Sequence, residues 1–372
     1  MKRIRKLFRL VKGNWLIFAF TVVLTVFHRL SFSYVPLFSE YVMKKLQIAT
    51  NLPSNGQEVN LPNFIINLVE QYSDVLQSII MIIILLVVWQ AVRYVILYIE
   101  AISKGRLSEN VGKNLRMNSY DHIQNLSYDY HNNADSGDLI QRVTSDIDAT
   151  TSFVSYRIMD LIGIMSSLTF GAFQMFHVNK TIMLVSIAII PITAISSIWY
   201  FKKIEKMYTD VEEKESELMV IIQENVSASK VVRAFANEQY EIEKMDQKNQ
   251  EYRETEIKAN KVSALYWGAM DTLMMVQFTI VLLLGIYFSR QNIMDVATIS
   301  SSLMLAGMLI WPVRGLGRII NDFGKALVAS KRLEEVFNEQ SEYVNDGILI
   351  PNIDGHIIFK NVNFKFPNTT NY

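Results

Sequence analysis

The residues able to do chemistry in this chain are few, and their spacing excludes most reactions. There is no cysteine, which removes disulfides, thiol catalysis and thiolate metal sites. The histidines do not fall with carboxylates at metal-ligand spacing, and no nucleophile motif stands out. A phosphate cradle needs G-x-x-x-x-G-K-[ST], whose backbone N–H groups and lysine surround the phosphates. Gly112-Lys113 is followed by Asn114 and Gly324-Lys325 by Ala326, and neither pair has glycine five residues earlier. No catalytic residue, metal site or phosphate loop is expected in these residues.

What remains are ionisable residues set inside apolar runs, and two polar segments at the ends of charged excursions. Arg29, beside His28, lies well inside the first apolar run. A charge at the centre of a bilayer costs about 2.5–3.5 kcal/mol, so Arg29 should face water or a partner. Asp271 and Arg93 fall at matching depth and are expected to pair. Trp89, Met304, Met308 and Trp311 form either an adaptable apolar surface or ordinary helix packing.

The elements that must position these residues are membrane spans. Half of the 372 residues are apolar and the formal net charge is zero, so no global field argues for nucleic acid. The apolar residues come in runs: Trp15 to Phe38, Val75 to Ile99, Val154 to Phe176, Thr181 to Phe201, Val262 to Phe288 and Val296 to Val313. Each approaches or exceeds the ~20 residues a bilayer requires. The loop from Gln47 to Asn63, with Pro53, Gly56 and Pro62, reads as irregular. His177 to Lys180 and Ser289 to Asp295 make tight connections. Pro312 should kink the sixth span, after which a helix runs to Phe337.

Basic residues set the orientation. The amino-terminal cluster, Lys104, Arg106, Lys113 and Arg116, the lysines after span four, and Arg314 to Arg332 fall on one side. Lys44, Lys45, Lys180 and Arg290 fall on the other. Both ends are therefore expected in the cytoplasm of a multi-pass cell-membrane protein. Residues 1–13 read as an amphipathic helix on the inner face. A signal peptide shares the basic start, but the apolar run continues to Phe38 without a small-residue cleavage site.

Two inward loops are long. Tyr200 to Ile222 and Tyr240 to Lys261 contain no Pro or Gly, so each arm can be one helix of about 25 residues, or about 38 Å. Val211, Leu218 and Ile222 form a sparse apolar stripe; Asp210 with Lys214, and Glu254 with Lys258, are acid-then-base pairs of the favoured orientation. The tip is Gln223 to Glu238. The first loop, Glu100 to Phe153, repeats this plan around Leu126 to Gly137. Rigid levers would look like this, and so would a structural bundle.

Taken together, these features resemble a half-transporter of the ATP-binding-cassette exporter family. The run Tyr128-Asp-Tyr-His-Asn-Asn-Ala-Asp-Ser-Gly137 through Arg142 and Asp146 resembles the family's first coupling region, and Glu224 through Val231-Val-Arg-Ala-Phe235 to Glu238 the second. Pro312, Ala329-Ser330 and Arg332 match the exit of span six, and Gly355 to Pro367 the first strand of a nucleotide-binding domain. Ala228 and Ser229 stand where the family often has Gly and Ile, and Phe366 where it usually has Tyr.

The resemblance implies an all-α membrane protein: six long transmembrane helices and two long cytoplasmic helical loops, plus the first β-strand of a nucleotide-binding domain truncated at Tyr372. The expected domains are 1–13, 14–337 with the six spans, a linker over 338–355, and 356–372. The implied function is the transmembrane subunit of an ATP-driven exporter of a hydrophobic or amphipathic drug, lipid or peptide. The alternative is a non-transporting six-span protein that dimerises as a binder or regulator. The implied partners are a second half-transporter, identical or different, nucleotide-binding domains and membrane lipid. ATP and Mg2+ would enter with those domains, Phe366 stacking on adenine, and the chain alone is expected to hydrolyse no ATP. Coupling is assigned to Tyr128, Tyr130 and His131, and to Val231, Val232 and Phe235 with Arg233 as polar neighbour. Arg29, Met304 and Met308 either line the substrate path or are structural.

Overall fold

The computed structural model describes residues 13–50, 58–342 and 355–363. The chain divides into two compact units, one from residues 1–18, 104–156 and 323–372, the other from 19–103 and 157–322. Six helices or helix pairs are long and apolar enough to cross a membrane, so the chain is a multi-pass membrane protein. Helices suit that setting because each backbone N–H finds its carbonyl within its own segment.

The first span is two helices, α1 (Trp15–Ser33) and α2 (Val35–Ala49). The break follows from Pro36 in the first turn of α2, where the missing N–H removes a bond to the preceding turn. The sequence places the end of this span at Phe38; the structure carries helix eleven residues further. A short helix, α3 (Asn63–Glu70), follows. The second span is the start of α4 (Val75–Gln124), fifty residues without interruption. The first polar tip carries α5 (Tyr128–Asn133) and α6 (Ser136–Gln141). The chain returns through two π-helical turns, Arg142–Asp146 and Phe153–Arg157, around α7 (Ile147–Ser152), into the third span, α8 (Ile158–Val178).

Asn179 makes the tight connection by accepting from the Thr181 and Ile182 amides, starting α9 (Lys180–Ala188). Span four continues as α10 (Ile190–Ser227), restarted at Pro191. The second polar tip is α11 (Ser229–Ala234), and α12 (Glu238–Arg290) returns as the fifth span. Asp295 caps the sixth, α13 (Val296–Val313), through the Thr298 amide at 2.9 Å. The expected kink at Pro312 is a full break, after which α14 (Leu316–Asn338) begins.

Residues 355–363, expected to open a strand, form none and are exposed. A strand is defined by pairing, and among the described residues nothing pairs with this segment. The amino-terminal amphipathic segment, most of the linker and Phe366 lie outside the described residues.

In the larger unit, Met175, Ile182, Val281, Leu305 and Leu309 are buried together where α8, α9, α12 and α13 meet. A second cluster joins Leu37, Phe38, Ile65, Val69 and Ile82, with Trp89 packed against it. In the smaller unit Leu107, Val111, Ile147 and Val154 are fully buried, and the Phe153 and Phe323 rings lie 5.3 Å apart.

Close approach of α12 to α13 depends on Gly285, where a Cβ would stand 2.8 Å from Cγ1 and 3.1 Å from Cγ2 of Ile299. Both atoms sit next to the Ile299 backbone and cannot swing away. Gly285→Ala should therefore destabilise by about 1–3 kcal/mol through overpacking. Gly268→Ala, on the same helix with nothing within 4 Å, should be neutral or gain up to about 1 kcal/mol of helix propensity. Thermal unfolding of the two variants in one detergent, compared with the parent, tests the pair.

Candidate functional site

The second hairpin is two long arms held by apolar contact near the membrane and by charge further out. Tyr200, Ile204 and Val211 of α10 pack with Ala259, Tyr266 and Met270 of α12. The outward stripe continues through Leu218 and Ile221, both buried, rather than Ile222, which is half exposed. Within it, between Val211 and Leu218, four charges interlock. Lys214 Nζ and Lys248 Nζ each donate to Glu217 at 2.8 Å, and Glu251 accepts from Lys248 at 3.0 Å and lies 3.5 Å from Lys214. The pairing of Lys214 expected with Asp210 is replaced by this cross-arm set, because a partner on each arm neutralises more charge than one neighbour on the same helix. The two ammonium groups hold the Glu217 carboxyl at about 2, and Lys248 pulls Glu251 below its ordinary value.

At the tip, α10 ends at Ala228 and the six residues of α11 close into α12 through Ala236, at φ +50. The Asn237 amide donates to the Val232 carbonyl at 3.1 Å. Val231 is 56% exposed and Phe235 79% exposed. Arg233 is exposed beside them, whereas Val232 turns inward. It lines a cleft of about 450 Å³ with Ile222, Val226, Ile242 and Met245, where Arg233, Glu238 and Glu241 supply charge. The sequence grouped Val231, Val232 and Phe235 in one contact; the structure gives Val231 and Phe235 an outward position and Val232 a seat in the cleft.

The first polar tip is built differently. Ser127 caps α5 by accepting from the Tyr130 amide, and Asp135 caps α6 by accepting from Gly137. Tyr128 is exposed and Tyr130 half-buried, while His131 Nε2 sits 3.0 Å from the Ile123 carbonyl. Arg142 donates to Asp138 at 2.8 Å and to the Arg332 carbonyl at 3.1 Å, and stands 3.6 Å from Glu335. Arg332 in turn lies 3.8 Å from Asp146. Gly137, Arg142, Asp146 and Arg332, read from the sequence as separate motif positions, thus share one region. A cleft of about 390 Å³ lies here, lined by Asp129, Tyr130, Asn133, Asp135, Asp138 and Arg142.

Inside the spans, Asp271 does not meet Arg93. It pairs with Arg314 at 2.8 Å, and Arg93 lies over the rings of Phe32 and Tyr94 at 4.9 and 4.8 Å. Equal depth was the only ground for expecting that pair, and depth says nothing of which helix faces which. Arg29 is half-buried against α8, where the missing Cβ of Gly163 leaves room for its guanidinium. Its neighbour His28 stands 3.0 Å from Glu100, which also accepts from Thr25. Met304 is exposed and Met308 buried, so the two do not present one surface. Trp89 donates to the Ser31 carbonyl at 3.0 Å, and Trp311 lies against Arg314; both have structural contacts. Sequence reasoning missed Glu40, buried with Lys44 at 3.1 Å and accepting from Ser301 at 2.6 Å. The signal was present as an acid-then-base pair four residues apart, in a stretch read as leaving the membrane.

The sequence signature of the ABC transporter transmembrane region matches residues 18–313. The chain is 25% identical over 254 residues to the uncharacterized ABC transporter ATP-binding protein YknU of Bacillus subtilis (strain 168), covering 68% of this chain and 43% of that protein. It is 22% identical over 274 residues to the ATP-dependent lipid A-core flippase of Syntrophus aciditrophicus (strain SB), covering 73% and 46%. It is 23% identical over 261 residues to the probable multidrug resistance ABC transporter ATP-binding/permease protein YheI of Bacillus subtilis (strain 168), covering 69% and 44%. The matched region spans about half the length of these curated relatives.

The charge cluster gives the hairpin a defined acid sensitivity. Glu217 titrates lower in the folded chain than the ordinary 4.5, so it binds fewer protons folded than unfolded just below that value. Its contribution is complete above about 4.5 and is lost as pH falls toward about 2. Amide-exchange protection in residues 214–251, measured against the intrinsic rate at each pH, should stay high at pH 5 and fall as pH drops below 4. Glu217→Gln should show the lower protection already at pH 6.

Proposed function

Because the chain belongs to the ABC transporter transmembrane-region family, we propose that it is the membrane-spanning part of an ATP-driven exporter. It works as one of two subunits, each engaged by a nucleotide-binding domain. The observation that carries this reading is the second tip: a large aromatic, Phe235, and Val231 stand exposed on a short helix at the end of a charge-braced hairpin. An apolar pair held in water about 38 Å beyond the spans contributes nothing to the chain's own core. Such a pair is explained by a partner that covers it.

The orientation follows the basic residues, with both ends and both polar tips in the cytoplasm. There Val231 and Phe235 insert into a nucleotide-binding domain with Arg233 at the rim. Tyr128 and the cleft beside Tyr130 form the second contact. Stiff arms pass displacement of those domains to the spans, which switch between inward-open and outward-open arrangements because packed interfaces are bistable rather than compliant. ATP and Mg2+ supply the driving energy from the nucleotide-binding domains. Within this sequence Phe366 is the residue assigned to adenine, and no step of the lever argument passes through it. The substrate is hydrophobic or amphipathic, a class that includes the lipid in the name of one relative and the drugs in the name of another. Arg29, half-buried between α1 and α8, is the charged candidate on its route, with exposed Met304 as an apolar one.

Burying an aromatic anchor typically matters by about 2 kcal/mol or more. In the transporter assembled with its nucleotide-binding domains, Phe235→Ala should lower substrate moved per ATP roughly tenfold while ATP hydrolysis persists. Unchanged stoichiometry would falsify the coupling role. The absence of native cysteine allows the orientation to be tested separately. Asn133→Cys and Asn237→Cys should resist an impermeant maleimide in intact cells and react in inverted vesicles.

A further inference from the structure

The break after Pro312 is held by side chains from two other helices, and those contacts give it a direction. Pro312 cannot donate to its preceding turn, and the chain passes through Arg314 and Gly315 before α14 restarts. The Arg314 carbonyl accepts two hydroxyls, Ser197 Oγ of α10 at 2.8 Å and Tyr266 OH of α12 at 2.9 Å. Ser197 Oγ also accepts from the Gly317 amide at 3.0 Å. One hydroxyl therefore serves both sides of the break, donating to Arg314 just past α13 and accepting from the first turn of α14. Ser197 is fully buried, and the approach requires glycine, since a Cβ on Gly317 would overlap the Ser197 carbonyl. One turn further, the Asn321 amide with its nitrogen toward α10 donates to Glu205 at 2.8 Å. The Arg314 side chain is pinned to α12 by Asp271 and the face of Trp267, and it also lies over Trp311 of α13.

From this geometry we infer that residues 312–316 are a hinge, and that Ser197 and Glu205 latch the first turn of α14 to α10 rather than to α13. The physical reason lies in the bonding count. Pro312 weakens the end of α13 by leaving the Met308 carbonyl without its ladder partner, and across the break the Gly317 amide bonds to Ser197 Oγ instead of the Val313 carbonyl, so α13 and α14 share little backbone bonding that resists bending. Residues 316–322 and α10 share two polar ties, one of them buried where water cannot replace it. When α10 moves, the start of α14 moves with it and the sixth span bends at the proline. This rests on the lever role given to α10 above and adds its route to the sixth span. Ser197 acts here as a positioning residue.

The test uses spin labels in the cysteine-free chain, reconstituted in lipid nanodiscs without nucleotide. One pair, Glu213→Cys with Ile320→Cys, reads α10 against α14. The other, Met304→Cys with Ile320→Cys, reads α13 against α14 across the break. All three positions are exposed. The first distance distribution should be narrow and the second about twice as wide, as expected when only one pair crosses a soft joint. Removing the latch with Ser197→Ala and Asn321→Ala should widen the first distribution to match the second. If the double variant fails to remain monodisperse, Asn321→Ala alone should widen it part of the way. The inference is overturned if the first pair is no narrower than the second in the parent, or if its width survives loss of both ties. A purely local capping role for Ser197 would lower thermal stability and leave the two widths in their original order. Because no nucleotide or partner domain is present, these distances are independent of whether Phe235→Ala uncouples transport.

Discussion

Hydrocarbon offers no hydrogen bonds, so every interruption of a spanning helix must be made good by the protein itself. Three prolines interrupt spans here, and the chain deals with them in two ways. At Pro36 and Pro191 the repair is local: the Tyr34 carbonyl accepts from the Leu37 and Phe38 amides, and the Thr193 hydroxyl caps the Ile190 carbonyl at 2.8 Å. At the break that follows Pro312, the Arg314 carbonyl, outside both helices, is served by hydroxyls from α10 and α12. A local repair leaves a helix bent but autonomous. A remote repair ties the bend to the helices that supply it, so the sixth span cannot change shape without engaging the fourth and fifth.

Outside the lipid the constraint is reversed, because water competes for every polar contact. An isolated pair of arms would gain little from single surface ion pairs. The α10–α12 hairpin therefore combines an apolar seam near the membrane, where Tyr200 stacks on Tyr266 at 3.8 Å, with the four-charge set at Lys214, Glu217, Lys248 and Glu251. Each ammonium there serves both carboxylates, which holds the arms in register as well as together. The consequence is a rod whose tip is positioned by many weak contacts in series, and a tip positioned in that way can carry an exposed phenylalanine without the helix collapsing onto it.

The six spans, the two tips and the tight connections were legible because they depend on one-dimensional facts: runs of apolar residues, the absence of Pro and Gly from the arms, and Asn or Asp at caps. Pairings were not legible. Asp271 and Arg93 match in depth, but which helix faces carry them depends on rotation that no local pattern records, and Arg314 at the break is the closer partner. Similarly, Ile221 and not Ile222 holds the inner position on α10, a one-residue difference of about 100° around a helix. The short helix α3 went unread because it follows directly on the Pro- and Gly-bearing loop that ends at Pro62, and its eight residues are too few to show a helical period. Of the strand expected over 356–367, the described part, 356–363, lacks a partner strand among the described residues: β-propensity describes fitness for a pleated surface, and pairing is what makes a strand.

Polar side chains buried between spans explain why one packing is chosen among many. Apolar contacts in lipid discriminate weakly, since an acyl chain satisfies a leucine as well as another helix does. Thr21 with Ser103 at 2.6 Å, Thr25 with Glu100 at 3.0 Å and Glu40 with Ser301 at 2.6 Å each fix a rotation and a height. Individually such bonds contribute only about 0.6 kcal/mol on average, yet a register shifted by one residue would strand buried carboxylates without partners, at a far larger cost. Glu40 and Glu100 therefore act through the arrangements they forbid. By contrast, the face of α4 that carries Leu76, Val87 and Tyr98 is apolar and exposed. A face without such pins slides easily against whatever covers it, whether lipid or the second subunit of the proposed dimer, as the proposed switching of the spans would require.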